Sequence, residues 1–152
     1  MNSELKKVYI YLENGTYLTA NSFGANGTTV GEIVFNTSMS GYQEIMSDPS
    51  YAGQFVTFTM PEIGNVGVNK QDMESLKAHA KGMIVRKYQQ RYSNFRAEDS
   101  LANFLVQNNI IGICDIDTRF LTKMLRSQGA MMMIASTEIS DIEELKNSLS
   151  KA

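Results

Sequence analysis

Apolar and polar positions along the chain change period partway through. Residues 8–12, VYIYL, alternate in the two-residue rhythm of a half-buried strand, and 16–20, TYLTA, do the same after Asn14-Gly15. An Asn-Gly pair between two such runs predicts a tight two-residue hairpin. Gly24, Gly27 and Gly31 punctuate the next connection, and 32–36, EIVFN, read as a further strand. A helical turn or two fits 41–47. Residues 54–60, QFVTFTM, form a strand that must stop at Pro61, which has no N–H to give a ladder.

Beyond Pro61 the rhythm becomes mixed. The stretch from Asn69 to Lys81 is polar, with Met73 and Leu76 three apart, and predicts a short helix. A strand at 83–86, MIVR, comes next. Over 97–108, Leu101, Phe104 and Leu105 share one helical stripe. The continuous apolar run 110–114, IIGIC, suits a strand buried on both faces. Asp117 is placed to cap a helix over 118–128 with Phe120, Leu121, Met124 and Leu125 inward, and Gly129 to close it in a left-handed conformation. A buried strand follows at 130–135, AMMMIA, whose consecutive methionines suit adaptable core filling. Ser140 and Glu143 have capping-box spacing for a last helix that buries Ile142, Leu145 and Leu149. The fold class is therefore α/β. A mainly antiparallel N-terminal part precedes a β/α-alternating part in which crossover helices imply parallel pairing.

Composition narrows the function classes. The chain has 152 residues, 43% hydrophobic and 20% charged, with net charge −2. That is the size of one domain, expected to span 1–152, and no repeat or linker divides it. The charge balance gives no footprint for nucleic acid or an anionic membrane. A single cysteine, Cys114, excludes a disulfide framework, and no segment reads as a secretion signal or a membrane span. A cytoplasmic setting is expected.

Candidate chemistry is sparse. Cys114 lies in an apolar run and the only histidine, His79, on a polar segment; the simplest reading makes both structural. One His, one Cys and scattered carboxylates have no metal-ligand spacing. In DIDTR, residues 115–119, Asp115 and Asp117 share a face if the segment is extended, as an acid/base pair would. The competing reading makes Asp117 a helix cap and pairs Asp115 with Arg119 or another cation. The Gly-x-x-Gly of PEIGNVG, 61–67, lacks the Lys-Ser/Thr of a phosphate loop. SNFR, 93–96, offers an arginine that could reach a carboxylate elsewhere. Residues 36–54, NTSMSGYQEIMSDPSYAGQ, form either a turn-rich connection or a polar loop presented to another chain or domain.

Five strings in order decide more than any one of them. GEIVFNTSMSGYQEIMSDPSYAGQ (31–54), PEIGNVGVN (61–69), HAKGMIVR (79–86), SNFR (93–96) and DIDTRFLTKMLRSQGAM (115–131) resemble the N-terminal domain of the small, glutamine-hydrolysing subunit of carbamoyl-phosphate synthase. The resemblance covers nearly the whole chain. It implies a three-layer β/β/α swivelling domain. It also implies a docking role beside a class I amidotransferase domain of the same subunit and a large synthetase subunit. In such an enzyme, glutamine-derived ammonia passes to the large subunit, where ATP and magnesium act, for carbamoyl phosphate and thence pyrimidine and arginine synthesis.

The amidotransferase signatures, Gly-x-Cys-x-Gly and a downstream His-x-Glu, do not occur here. Cys114 sits in GICDI and His79 is followed by Ala-Lys, so this chain is expected to be a piece without the glutaminase machinery, holding no cofactor of its own. By resemblance, Ser50 of the Asp-Pro-Ser-Tyr turn contributes to the glutamine site of the neighbouring domain. Asn94, Arg96, Asp115, Asp117 and Arg119 are expected to hold loops that dock the partner domain or subunit. Two rival expectations stand beside this one: an independent interaction module, and a small acid/base enzyme using Asp115 and Asp117.

Overall fold

The Asn14-Gly15 hairpin is the first element of a computed structural model that describes residues 5–37, 42–59, 79–88 and 100–152. Strands β1 (Lys6–Leu12) and β2 (Tyr17–Ser22) pair antiparallel with Val8 opposite Ala20. The turn takes three residues rather than the expected two. Leu12 N–H donates to Thr16 O at 2.9 Å, Gly15 N–H donates to Leu12 O at 2.8 Å, and Gly15 takes φ +94°. Glycine reaches that left-handed region without a Cβ penalty, so the chain closes through a bulged turn that keeps the strand twist.

Strand β3 (Thr28–Asn36) leads into a short helix α1 (Tyr42–Met46), a 3₁₀ turn over Pro49–Tyr51, and β4 (Gln54–Phe58). Because the helical connection carries the chain back to the same edge, β4 runs parallel to β3, with Val34 opposite Val56. Strands β5 (Gly82–Ile84) and β6 (Ile111–Cys114) continue the parallel run, Val56 facing Met83 and Met83 facing Gly112. Helix α2 (Ser100–Gln107) precedes β6; α3 (Thr118–Gln128), β7 (Met131–Ser136) and α4 (Ile142–Ser150) follow it.

The strands close in the order β1-β2-β6-β5-β4-β3-β7, a seven-stranded barrel of mixed sense. The α/β class and the parallel pairing of β5 with β6 are as expected. Two pairings depart from the sequence reading. The β3–β4 pair in the N-terminal half is parallel. Strand β7, although it follows a helix, is antiparallel to both β1 and β3, because it fills the slot between them and seals the barrel.

Two apolar clusters hold this arrangement. One gathers Ile10, Ile33, Phe55, Ile111 and Met133 from the strands with Leu121 and Leu125 of α3. The other places Val56, Met83 and Cys114 against Met46 of α1 and Leu101, Phe104 and Leu105 of α2, so the predicted stripe of α2 is buried as a unit. Backbones approach closely where the clusters meet the barrel wall: a Cβ at Gly24 would lie 2.6 Å from Gly112 N and from Ile110 O. Within β7, Met131 and Met133 point inward while Met132 points out, in strand alternation.

Helix ends largely follow their sequence signals. The Asp117 side chain caps α3, and Gly129 closes it at φ +86° with its N–H on Leu125 O. Three details differ. Phe120 is 44% exposed rather than inward. At α4 the cap is Asp141, which accepts from Glu144 N–H at 3.0 Å, one residue past the expected Ser140–Glu143 box. That shift leaves Ile142 44% exposed and Leu145 as the buried anchor. Of the helix expected from Asn69 to Lys81, residues 69–78 lie outside the described residues. His79 to Lys81 are non-helical, with His79 N–H donating to Met46 O and Lys81 N–H to Gln54 O. Among the described residues no helix is long and apolar enough to cross a membrane.

Candidate functional site

The Asp-Pro-Ser-Tyr turn is built from its own residues. Asp48 Oδ1 accepts the Ser50 N–H at 3.0 Å, Pro49 presets the first dihedral, and Tyr51 N–H donates to Asp48 O at 3.0 Å. These bonds stabilise the ionised Asp48: the Ser50 N–H first, then the Ser50 hydroxyl, and the charge of His79 hold its carboxyl below the usual value of 3.8. A longer tie also anchors the turn, Asn36 Nδ2 donating to the Tyr51 hydroxyl at 2.7 Å across from the end of β3. Ser50 is exposed at the tip.

The DIDTR segment separates its two aspartates. Asp117 spends its carboxylate on the helix start, Oδ1 accepting Phe120 N–H at 3.0 Å. Asp115 bends the chain with φ +62°, a region aspartate tolerates better than most residues, and its N–H donates to Arg86 O at 2.9 Å. Among the described residues its partner is an amide and not a cation. Asn21 Nδ2 donates to Asp115 Oδ2 at 2.7 Å, because β2 pairs with β6 and sets Asn21 opposite Cys114. The two carboxylates are thus committed to different jobs, one on a sheet neighbour and one on a helix cap, which removes the motive for reading them as an acid/base pair.

Cys114 is buried, and burial first, then the charge of Asp115, pushes its thiol up to about 12. A thiol so disfavoured as thiolate is no nucleophile near neutral pH. The structural reading of this cysteine holds. Asn94 and Arg96 lie outside the described residues.

A feature that sequence reasoning missed lies at the carboxyl ends of the parallel strands. A cleft of about 330 Å³ is lined by Thr37, Thr59 and Arg86, and by Thr118, Arg119, Thr122 and Arg126 of α3. Thr37 directly follows β3, Thr59 directly follows β4, and Arg86 lies two residues past β5. Of these only Arg119 was singled out from the sequence. The available signal was positional: a polar residue just past each of three parallel strands. It cannot be used before the strand order is known.

Comparison with known proteins identifies the neighbourhood. The family model for the carbamoyl-phosphate synthase small chain, CPSase domain, matches residues 10–135. The chain is 60% identical over 149 residues to the carbamoyl phosphate synthase small chain of Helicobacter hepaticus, covering 98% of this chain and 39% of that protein. It is 53% identical to that of Campylobacter jejuni, over 96% of this chain and 39% of the relative. For that of Synechocystis the figures are 54%, 97% and 38%. The chain therefore spans about two fifths of the length of these curated relatives. Among solved structures, an aminopeptidase from Aneurinibacillus sp. strain AM-1 superposes over 88% of this chain and 31% of its own, with TM-score 0.51 and 12% identity, a likeness of fold alone.

Proposed function

Because the chain belongs to the carbamoyl-phosphate synthase small chain family, in its CPSase domain, we propose that it is the N-terminal docking domain of a glutamine-hydrolysing small subunit. The observation that carries this reading is the family match over residues 10–135 together with relatives alike over nearly the whole chain. In this reading a class I amidotransferase domain of the same subunit releases ammonia from glutamine. A large subunit, holding ATP and magnesium, uses that ammonia to make carbamoyl phosphate in the cytoplasm for pyrimidine and arginine synthesis.

This chain's share is noncatalytic. It has no Gly-x-Cys-x-Gly segment, and its one cysteine is the buried Cys114. The exposed Ser50 hydroxyl, on a turn stiffened by Pro49 and Asp48, supplies a hydrogen bond to glutamine bound mainly by the neighbouring domain, with little ordering cost. Asp115, Asp117 and Arg119, with Asn94 and Arg96, hold the loops that meet the partner domain or subunit, setting register more than affinity. The three-layer β/β/α arrangement belongs to this reading too. Two apolar clusters support it, one joining the strands to α3 and the second joining β4–β6 to helices α1 and α2.

The test is Ser50→Ala in the full-length subunit, with glutamine KM measured. Losing one hydrogen bond of about 1 kcal/mol raises KM roughly five-fold, while ammonia-dependent synthesis is untouched. An unchanged KM would reduce Ser50 to a turn residue. The present chain alone, incubated with glutamine, is expected to release no ammonia above blank.

A further inference from the structure

The cleft at the strand ends has the chemistry of an anion site. Arg86, Arg119 and Arg126 all face it, and among the described residues no carboxylate lines it. The nearest acids in sequence are already engaged, Asp117 with the Phe120 N–H and Asp115 with Asn21. Three guanidinium groups sharing one cleft repel one another unless an anion lies between them. Arg126 is held in place from behind, its guanidinium carbon 5.3 Å from the Phe35 ring centroid, so part of its side-chain freedom is already lost.

A second observation points into the same space. Thr118 is only 5% exposed and lines the cleft, yet its hydroxyl has no hydrogen-bond partner among the described residues. Its neighbour one turn on, Thr122, satisfies itself by donating to Thr118 O at 2.8 Å. A hydroxyl on the wall of the cleft is placed to donate to an anion held there. The setting is also where ligands sit in parallel α/β sheets, outside the carboxyl ends of the strands and beside a following helix start.

We propose that this cleft binds a diphosphate-class oxyanion, held by Arg86, Arg119 and Arg126 with the Thr118 hydroxyl as a further donor. A lone carboxylate has two coplanar oxygens and is satisfied by a single guanidinium fork. Forks from two separate segments, plus a hydroxyl, match an ion with oxygens facing several ways and more than one negative charge. Thr118 and Arg126 lie eight residues apart, roughly 12 Å along the helix axis, a span that suits two phosphoryl groups better than one. The inference does not rest on the proposed function and stands or falls separately from it.

Isothermal titration of the full chain with inorganic pyrophosphate, at constant ionic strength, tests it. Saturable one-to-one binding is expected, weakening as salt rises. Arg119→Gln and Arg86→Gln should each weaken it about ten-fold or more. Thr118→Val, which keeps the side-chain shape, should weaken it by a few-fold. Lys146→Gln, on the exposed face of α4, should bind as the parent does. Near-ultraviolet circular dichroism identifies any variant that fails to fold, and Arg126→Lys, which keeps the charge but loses the fork, then replaces it. Absence of saturable binding, arginine variants that titrate like the parent, or citrate binding as tightly as pyrophosphate would each overturn the proposal.

Discussion

The turn at Asp48–Tyr51 and the bend at Cys114–Arg119 both hang on an aspartate that accepts a backbone N–H, yet they are held in place by different means. Around Ser50, almost every bond joins residues within three positions, and the tip faces water. At the bend, the aspartate at 115 depends on Asn21, ninety-four positions away, and on the carbonyl of Arg86. The first can form before the rest of the chain is in place; the second exists only when β2, β5 and β6 have paired. A presented loop needs local stiffness. A cleft that gathers arginines from separate segments needs the whole barrel.

The sharpest way to break this contrast is Gly24→Ala. Its Cβ would meet the backbone of Gly112 and Ile110 at 2.6 Å, where no flexible side chain can yield. A loss of about 3 kcal/mol in urea unfolding is expected. The Asn21–Asp115 bond should loosen, while amide exchange at Ser50 and Tyr51 changes far less. Equal disturbance of both regions would erase the distinction.

Alkaline pH acts on the bend through Cys114. The Cys114 thiol is raised in the folded chain, so the stability it contributes is complete below the ordinary value near 9.0 and is lost as pH climbs toward about 12. About 1.4 kcal/mol per pH unit should vanish across that window, and Cys114→Ala should flatten the slope. Iodoacetamide at pH 8 should label the thiol only after denaturation. Prompt labelling of the native chain would show that it is not sealed.

Smaller again, Asp117→Ala removes the cap of α3 and should cost about 1 kcal/mol by thermal or urea unfolding. It tests whether the arginine-bearing helix depends on its own start signal. The smallest effect belongs to the turn. Asp48 is lowered in the folded chain, so its contribution is present above its ordinary 3.8 and lost as pH falls below that. Asp48→Asn should make the unfolding midpoint slightly less sensitive between pH 5 and pH 3. Its exposure keeps the difference small, and a large one would mean that the turn is more deeply embedded than its bonds suggest.

Legibility followed the same division. The cap at Asp117, the close at Gly129, the buried stripe of α2 and the Asp-Pro-Ser-Tyr turn were all readable, because each is a short-range pattern with one cheap solution. Misreadings were small where competition was local. Asp141 displaced Ser140 as a cap, and Gly15 drew the hairpin into a three-residue turn. They were larger where pairing was distant. Nothing in AMMMIA says that β7 must lie antiparallel between β1 and β3, since both senses bury the same side chains.

What the sequence determined by itself was the elements, their caps and the family, because period, turn chemistry and ordered strings are properties of neighbouring residues. The tertiary structure alone decided that the strands close into a barrel, that Asp115 finds Asn21, and that Arg86 meets Arg119 and Arg126 over one cleft. Those outcomes depend on which strand edges meet, and strand edges carry the same backbone donors and acceptors whatever the sequence. Only the packing of both apolar clusters together selects among them.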